Sequence, residues 1–178
     1  VFLGYHTGAG AEGVLAHTYL ANTVTGVWLD GRRAGEGLLN AALAAEYGVP
    51  VILVTGDDKT VEDARSYARD AVGVVVKDHV SRYAAVCRPP ARTAADIRRG
   101  AERAMAGAGR RAGAVNGPHV FAVEFDAEHL AGAVTVVPGV SRIGERRVTF
   151  TAETMYEGIR CFKAVTTVAA AAVEEEYG

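Results

Sequence analysis

Two histidines and a glutamate in the first 36 residues have side chains and a spacing that could do chemistry. His6 ends a short apolar stretch, His17 lies beyond a glycine-rich loop, and Glu36 opens a predicted helix. Imidazole and carboxylate groups serve as zinc ligands and as acid–base groups. Glu36 stands between Gly35 and Gly37, where missing side chains leave room for an ion or a substrate. These residues are therefore the candidates for a metal site.

Each of the three also has a plain structural explanation. His6 follows a predicted parallel strand, at the edge where α/β sheets bind ligands, but it can also cap that strand and bond to a loop. His17 could move a proton or hold an oxyanion, although a partly buried histidine with a backbone partner is more common. Glu36 could be a first-turn glutamate that the helix dipole stabilises. Position alone leaves these alternatives open.

Other polar residues give weaker signals. Asp57 and Asp58 are predicted to cap the helix that follows them. Lys77 and the pair Ser81-Arg82 follow a buried strand and could hold a substrate carboxylate, although solvation of a strand end is more common. We predict a structural role for the aspartates and leave Lys77 open.

The segment Gly8–Gly13 fits the pattern Gly-x-Gly-x-x-Gly of dinucleotide-binding loops. No convincing helix follows it, so the pattern does not favour a dinucleotide site. His79, His119 and His129 show no ligand spacing with one another, and we interpret them as structural or surface residues.

Composition narrows the class of protein. The 178 residues carry 19 basic and 21 acidic side chains, a balance that gives no reason to expect nucleic acid or a membrane as partner. Two cysteines do not make a disulfide framework and suggest a reducing compartment. The sequence has no signal-peptide pattern and no apolar run long enough to span a bilayer. We therefore predict a cytoplasmic protein.

The order of apolar runs and helical spacing predicts an α/β fold. Val49–Thr55 and Val72–Val76 are continuous apolar runs, and a helix is predicted between them over Lys59–Arg69. This unit predicts a mixed, largely parallel sheet with helices on both faces. The other predicted strands are Val1–Tyr5, Gly26–Gly31, His119–Phe125, Ala133–Val137 and Val148–Phe150, and the other predicted helices are Gly35–Tyr47, Ala91–Ala108 and Ala152–Glu176.

We predict one structural unit over residues 1–178. Pro89-Pro90 breaks the chain and suggests a possible subdivision into an α/β core, 1–88, and a smaller C-terminal α+β portion, 89–178. Asp30-Gly31 predicts a hairpin turn, and Gly48 stands where a helix C-cap would.

A series of short motifs resembles one family, the DppA-type zinc-dependent D-aminopeptidases, which form self-compartmentalising particles. The resemblance covers nearly the whole chain, and the order and spacing of the motifs are more specific than any one of them. The motifs are Phe2–His6, Gly13–Thr18, Gly35–Ala41, Val49–Asp58, Val76-Lys77, Ser81-Arg82, Val123–Phe125, Val137–Gly139 and Val148–Phe150.

The resemblance implies a two-zinc enzyme that removes N-terminal D-amino acids from short peptides. It implies a homo-oligomer, a decamer of two stacked five-membered rings with the active sites facing an inner chamber. His6 and Glu36 match zinc ligands of the family, and His17 matches its catalytic histidine. Asn40 and Lys77 are weaker matches for residues near the substrate.

The sequence also departs from the family. Its Asp-x-Glu-Gly and Asn-Asp-Ser-His segments, which supply further metal ligands, do not occur in these 178 residues. His6 and Glu36 are too few for a catalytic zinc, so this stretch alone should bind zinc weakly or not at all. The chain could be a fragment, one half of a split or nicked protein with its missing segment on a separate chain, or a degenerate homologue. A start in a strand without methionine favours the first two.

Three rival functions remain. A non-catalytic subunit could keep the fold without the zinc site. An α/β domain could bind a small molecule at the glycine-rich loop after His6. A metal-dependent hydrolase could act on a different amide or ester, because a fold does not determine the substrate.

Overall fold

A computed structural model describes residues 1–107, 112–113 and 116–173. The chain forms two compact units, one of Val1–Ala16 with Gly35–Val115 and one of His17–Ala34 with Asn116–Gly178. The strands are β1 (Val24–Leu29), β2 (Arg32–Arg33), β3 (Leu53–Asp57), β4 (Val72–Ser81), β5 (Ala84–Cys87), β6 (His119–Phe125), β7 (Ser141–Arg142) and β8 (Arg147–Ala152). The helices are α1 (Glu36–Glu46), α2 (Asp58–Ala64), α3 (Pro90–Ala106), α4 (Glu128–Ala133) and α5 (Met155–Ala172), and a 3₁₀ turn spans Val134–Val136.

The first unit is built on a three-stranded sheet in the order β3-β4-β5. β3 and β4 run parallel, whereas β4 and β5 form an antiparallel hairpin. Phe2 makes a parallel bridge to Val54, and the amide of Tyr5 donates to the carbonyl of Thr55 at 2.9 Å. The first residues of the chain therefore run along the outer edge of β3.

Helices α2 and α3 cover opposite faces of this sheet. A Cβ added to Gly73 of β4 would meet Val61 of α2 at 2.4 Å, and one added to Gly100 of α3 would meet Val74 of β4 at 2.6 Å. Successive residues of a strand point to opposite faces, so the two helices lie on different sides. Leu53, Val74 and Ala104 form the buried core beneath α3.

The second unit contains a five-stranded antiparallel sheet in the order β2-β1-β6-β8-β7. Its first hairpin turns at Asp30 and Gly31, which have φ angles of 51° and 78°. Both central residues of a type I′ turn need such left-handed backbone, so the predicted Asp-Gly turn is confirmed. Asp30 holds the turn to β6 because its carboxylate accepts from the amide of Val120 at 2.8 Å.

Helix α5 packs on the inner face of this sheet. Gly158 allows the close approach, since a Cβ there would lie 2.3 Å from the ring of Phe121. Phe121, Phe125 and Phe162 are fully buried. Burial of each such side chain stabilises the fold by about 1.5–3 kcal/mol.

Several predictions are confirmed and others are wrong. The α/β class holds, but the expectation of a largely parallel sheet is wrong: in the described residues, parallel pairing is confined to β3 with β4 and to the Phe2–Val54 bridge. The predicted strand Ala133–Val137 is instead the end of α4 and a 3₁₀ turn. The unit boundary also differs from the suggested 88/89, because α3 packs on β3 and β4 of the first unit.

The helix ends follow the sequence signals. Gly48, with φ of 71°, ends α1 in a Schellman motif in which the amides of Gly48 and Val49 donate to the carbonyls of Ala45 and Ala44. The predicted helix ends at Ala108 and Glu176 lie outside the described residues. None of the helices in the described part of the chain is long and apolar enough to cross a bilayer.

Candidate metal centre

His6 follows the segment that runs beside β3. The amide of Gly4 donates to the hydroxyl of Thr55 at 2.8 Å, and the ring of Tyr5 stacks on Phe2 with centroids 4.2 Å apart. These contacts hold the backbone up to Tyr5 and deliver His6 at the end of a fixed segment. The His6 side chain is 21% exposed, so it lies at the surface of the first unit without being fully solvated.

A hydrogen bond sets the tautomer of His6. Its Nδ1 lies 3.0 Å from the carbonyl oxygen of Thr7, which can only accept, so Nδ1 carries the proton. In the neutral ring, Nε2 then keeps its lone pair. Histidine ligands of metals are commonly oriented in this way, with one ring nitrogen donating to a carbonyl and the other bound to the metal.

Glu36 brings a carboxylate to the same place. Its Oε1 lies 3.8 Å from Nε2 of His6, and its side chain is 24% exposed. Two atoms bound to one tetrahedral zinc would be separated by about 3.4 Å. The separation of the pair is therefore compatible with two ligands of a shared ion, and their role as zinc ligands stays a prediction.

The glycines around Glu36 have a different purpose from the one the sequence suggested. A Cβ on Gly35 would lie 2.8 Å from Cα of Gly8, and one on Gly37 would lie 2.3 Å from the hydroxyl of Tyr67. These spaces are filled by protein atoms, so the proposal that they leave room for an ion is wrong. Gly8 and Gly35 instead let two backbone segments touch, and this contact brings His6 and Glu36 together.

The glycine-rich loop is held by its own hydrogen bonds. Thr7 Oγ1 donates to the carbonyl of Glu12 at 2.8 Å. The amide of Leu15 donates to the carbonyl of Arg82 at 2.7 Å. No helix begins anywhere between this loop and β1, a stretch that the structure describes completely, so the loop is not a dinucleotide-binding turn.

Asp57 is the main anchor of the loop. Its side chain caps α2, as predicted, by accepting from the amide of Thr60 at 2.7 Å, and it also accepts from the amide of Val14 at 2.6 Å. Burial raises the pKa of Asp57, but bonds from Thr60 and Val14 and the charge of Lys77 outweigh it, so the pKa is lowered. The sequence motif showed the cap but not the bond to Val14.

Two weaker site predictions find structural partners. Asn40 lies on α1, one turn after Glu36, and its Nδ2 donates to the hydroxyl of Tyr5 at 2.9 Å. Lys77 is half-buried in β4, opposite Asp57 and Cys87. Their predicted places near a substrate stay predictions.

The other histidines are accounted for separately. His17 is the half-buried first residue of the second unit, and its catalytic role stays a prediction. His119 is structural, as predicted: it is 3% exposed and its Nδ1 lies 2.9 Å from Oδ2 of Asp30. His79 is half-buried in β4, with its amide bonded to Asp58, and His129 is exposed.

With the fold and the His6–Glu36 pair established, comparison with known proteins gives the class. The family model for D-aminopeptidases, peptidase family M55, matches residues 1–164. The chain belongs to this family, and the resemblance seen in the sequence motifs is confirmed.

Two relatives refine the comparison. Over 92 residues the chain is 37% identical to the D-aminopeptidase of Bacillus subtilis (strain 168), a match that covers 52% of this chain and 33% of that protein. The fold is similar to that of the Zn-dependent D-aminopeptidase DppA from Bacillus subtilis, a self-compartmentalizing protease, with a TM-score of 0.91 and 27% identity over 97% of this chain and 64% of that one. The chain thus spans less than two thirds of the length of either relative.

Proposed function

We propose that the protein to which this chain belongs is a zinc-dependent aminopeptidase that removes N-terminal D-amino acids from short peptides. Membership of the D-aminopeptidase family supports the class of reaction. The observation that carries the proposal is that Nε2 of His6 lies 3.8 Å from a carboxylate oxygen of Glu36, while Nδ1 bonds to the carbonyl of Thr7. A neutral imidazole and a carboxylate at this separation are a suitable pair of zinc ligands.

The ligand set of this stretch is incomplete. A catalytic zinc has three protein ligands and an open position, and a two-zinc site needs more. We expect the remaining ligands, and the second zinc, to depend on residues outside these 178, on the same or a separate chain. When bound, zinc would polarise the scissile carbonyl and lower the pKa of a bound water.

The residues of this chain would act around that centre. His6 and Glu36 would hold one ion, and the bond to Thr7 would keep the imidazole in the correct tautomer. We propose His17 as the group that donates a proton to the leaving amine or stabilises the oxyanion. His17 lies within the stretch that the D-aminopeptidase family model matches, which supports this role.

We propose supporting roles for Asn40 and Lys77. Asn40 would orient Tyr5, and through it the backbone leading to His6, instead of contacting the peptide itself. Lys77 would donate to the substrate carboxylate only if its side chain leaves the neighbourhood of Asp57. Assembly into a homo-oligomer, with a decamer as the specific form, and a cytoplasmic location belong to the same proposal.

The experiment is a peptidase assay on the full-length protein with metal analysis. Matched pairs of short peptides that differ only in a D- or L-residue at the N-terminus would be tested with zinc-loaded and zinc-depleted protein. We expect release of the D-residue alone, only with zinc. Cleavage of both peptides would indicate another amide hydrolase. A protein that takes up no zinc when zinc is supplied and cleaves neither peptide would indicate a non-catalytic subunit. Light scattering on the same sample gives the size of the assembly.

A further inference from the structure

A groove in the first unit lies between α3 and β4 and has a volume of about 590 Å³. This volume is within the range of about 300–1,000 Å³ found for small-molecule sites. Four arginines line it: Arg88, Arg92, Arg99 and Arg103. The groove is formed by elements other than those that carry His6 and Glu36, and nothing in the proposed peptidase chemistry uses it.

The arginines are only partly neutralised. Two carboxylates, Asp96 and Glu102, line the groove with the four guanidinium groups, and Arg88 lies 3.5 Å from Asp78 beside the groove. Three carboxylates against four guanidinium groups leave a formal excess of one positive charge. Asp96 is shared, since Arg99 bonds to its Oδ1 and Nε of Arg92 lies 3.7 Å from its Oδ2. Within the described part of the chain, the guanidinium of Arg103 makes no ion pair.

Helical spacing concentrates this charge on one stripe. Arg92, Asp96, Arg99 and Arg103 are separated by four, three and four residues, so their side chains lie above one another along α3. Arg99 and Arg103 are thus like-charged neighbours one turn apart, and Glu102, three residues after Arg99, offsets only part of their repulsion. Such an arrangement is unfavourable in the empty protein and becomes favourable when an anion bridges the two.

The opposite wall is a strand edge that can also donate hydrogen bonds. β5 pairs with β4 from Lys77 onward, so within the described residues the side of β4 away from β3 carries no ladder along Val72–Val75. Three successive residues of this stretch, Gly73–Val75, line the groove. Backbone amides on an unpaired edge need acceptors, which water or anion oxygens supply.

We propose that this groove binds a small multivalent anion that carries carboxylate or phosphate groups. The planar guanidinium group bonds to such groups through two parallel N–H donors, and several arginines that converge on one groove match a ligand with more than one acidic group. Arg99 and Arg103 would grip the ligand, and the amides of the β4 edge would complete its coordination. A polyphosphate and a polycarboxylate share this chemistry. The inference does not depend on the proposed peptidase activity.

The test is isothermal titration of the full-length protein with pyrophosphate and, separately, with citrate. Sodium chloride holds the ionic strength constant, because diffuse attraction to a positive surface is screened by salt. We expect saturable binding of at least one anion. Binding of pyrophosphate alone points to phosphate ligands, and binding of citrate alone points to carboxylates. Absence of saturable binding of both would overturn the proposal.

Two variants locate the site. Arg103→Gln removes a guanidinium that has no partner among the described residues, so the fold is retained, and we expect about tenfold weaker binding. The matched control is Arg98→Gln, an exposed arginine of α3 outside the groove, which should leave binding unchanged. Full affinity in Arg103→Gln would place the anion elsewhere, for example on zinc. An equal loss in both variants would show diffuse charge attraction. Either result would refute the groove as the site.

Discussion

The amide of Val14 donates a 2.6 Å hydrogen bond to Oδ2 of Asp57, which lies 43 residues further along the chain. Asp57 is 1% exposed, and its other oxygen accepts from Thr60. One carboxylate thus fixes both the start of α2 and the end of the glycine-rich loop.

Replacement of Asp57 by Asn should destabilise the protein in a pH-dependent way. Asn can still cap α2, but its amide nitrogen would face the Val14 donor, and we expect a loss of about 1–3 kcal/mol at neutral pH. Because the folded-state pKa of Asp57 is lowered, its stabilisation is present above the ordinary aspartate pKa of about 3.9 and disappears as the pH falls through the folded value. Urea unfolding from neutral to acid pH measures this. If the difference in the free energy of unfolding between wild type and variant does not narrow in acid, the prediction is contradicted. Glu62→Gln on α2 is the control.

Replacement of Glu36 by Gln should weaken zinc binding while preserving the fold. The amide keeps the size of the side chain but loses the charge that a zinc ligand needs, and we expect an affinity loss of about tenfold or more. Elemental analysis and chelator competition on the full-length protein measure the effect. Glu46→Gln, at the other end of α1, is the matched control. Unchanged zinc affinity in the Glu36 variant would remove this residue from the site.

Replacement of His17 by Ala should abolish turnover without loss of metal. A general acid–base group contributes about 10²–10⁴-fold to the rate, and His17 is not among the ligands that we assign. Steady-state kinetics and zinc content are measured on the same preparation. If the variant loses its zinc, His17 is a ligand and the assignment is mistaken.

Replacement of Gly35 by Ala should disturb both stability and metal binding. The new Cβ would meet Cα and N of Gly8 at 2.8 and 2.9 Å, and backbone atoms cannot move aside as a flexible side chain can. We expect about 1–3 kcal/mol of destabilisation from overpacking. Gly132→Ala in α4, where the Cβ would meet nothing within 4 Å, is the control and should be neutral or stabilising. Equal thermal stability of both variants would show that the backbone at Gly8 moves away from a Cβ at position 35 at little cost.

Replacement of Tyr67 by Phe should be neutral or stabilising. The hydroxyl of Tyr67 is buried with no hydrogen-bond partner in the described structure, and burial raises its pKa. Removal of an unsatisfied buried group relieves a desolvation cost of about 1–3 kcal/mol, of which part should be recovered. Tyr5→Phe is the contrast, because it deletes the acceptor for Asn40 and should cost about 0.5–1.5 kcal/mol. A larger loss for Tyr67→Phe than for Tyr5→Phe would mean that the hydroxyl has a partner after all.

Local signals predicted most elements of the fold. The Asp30-Gly31 turn, the Gly48 cap and the Asp57 cap depend on residues within a few positions, and all three are present. The strand predicted over Ala133–Val137 was wrong because its valines favour strands. In the structure α4 continues into this run as a 3₁₀ turn.

Non-local pairing could not be predicted in the same way. β1 pairs with β6, which lies about ninety residues later in the chain, and no local pattern specifies such a partner. The site shows the same division. Residue types identified His6 and Glu36, whereas the bond from Val14 to Asp57 was missed because a backbone amide has no sequence signature.

The half-paired strand β4 has a consequence for the behaviour of the protein in solution. An open strand edge can pair with a strand of another molecule. Charged side chains beside the edge prevent this pairing because they repel the second molecule. The arginines beside Gly73–Val75 provide that repulsion. Concentrated salt or a neutralising anion would weaken it, so the same charges that invite a ligand also keep neighbouring molecules from joining edge to edge.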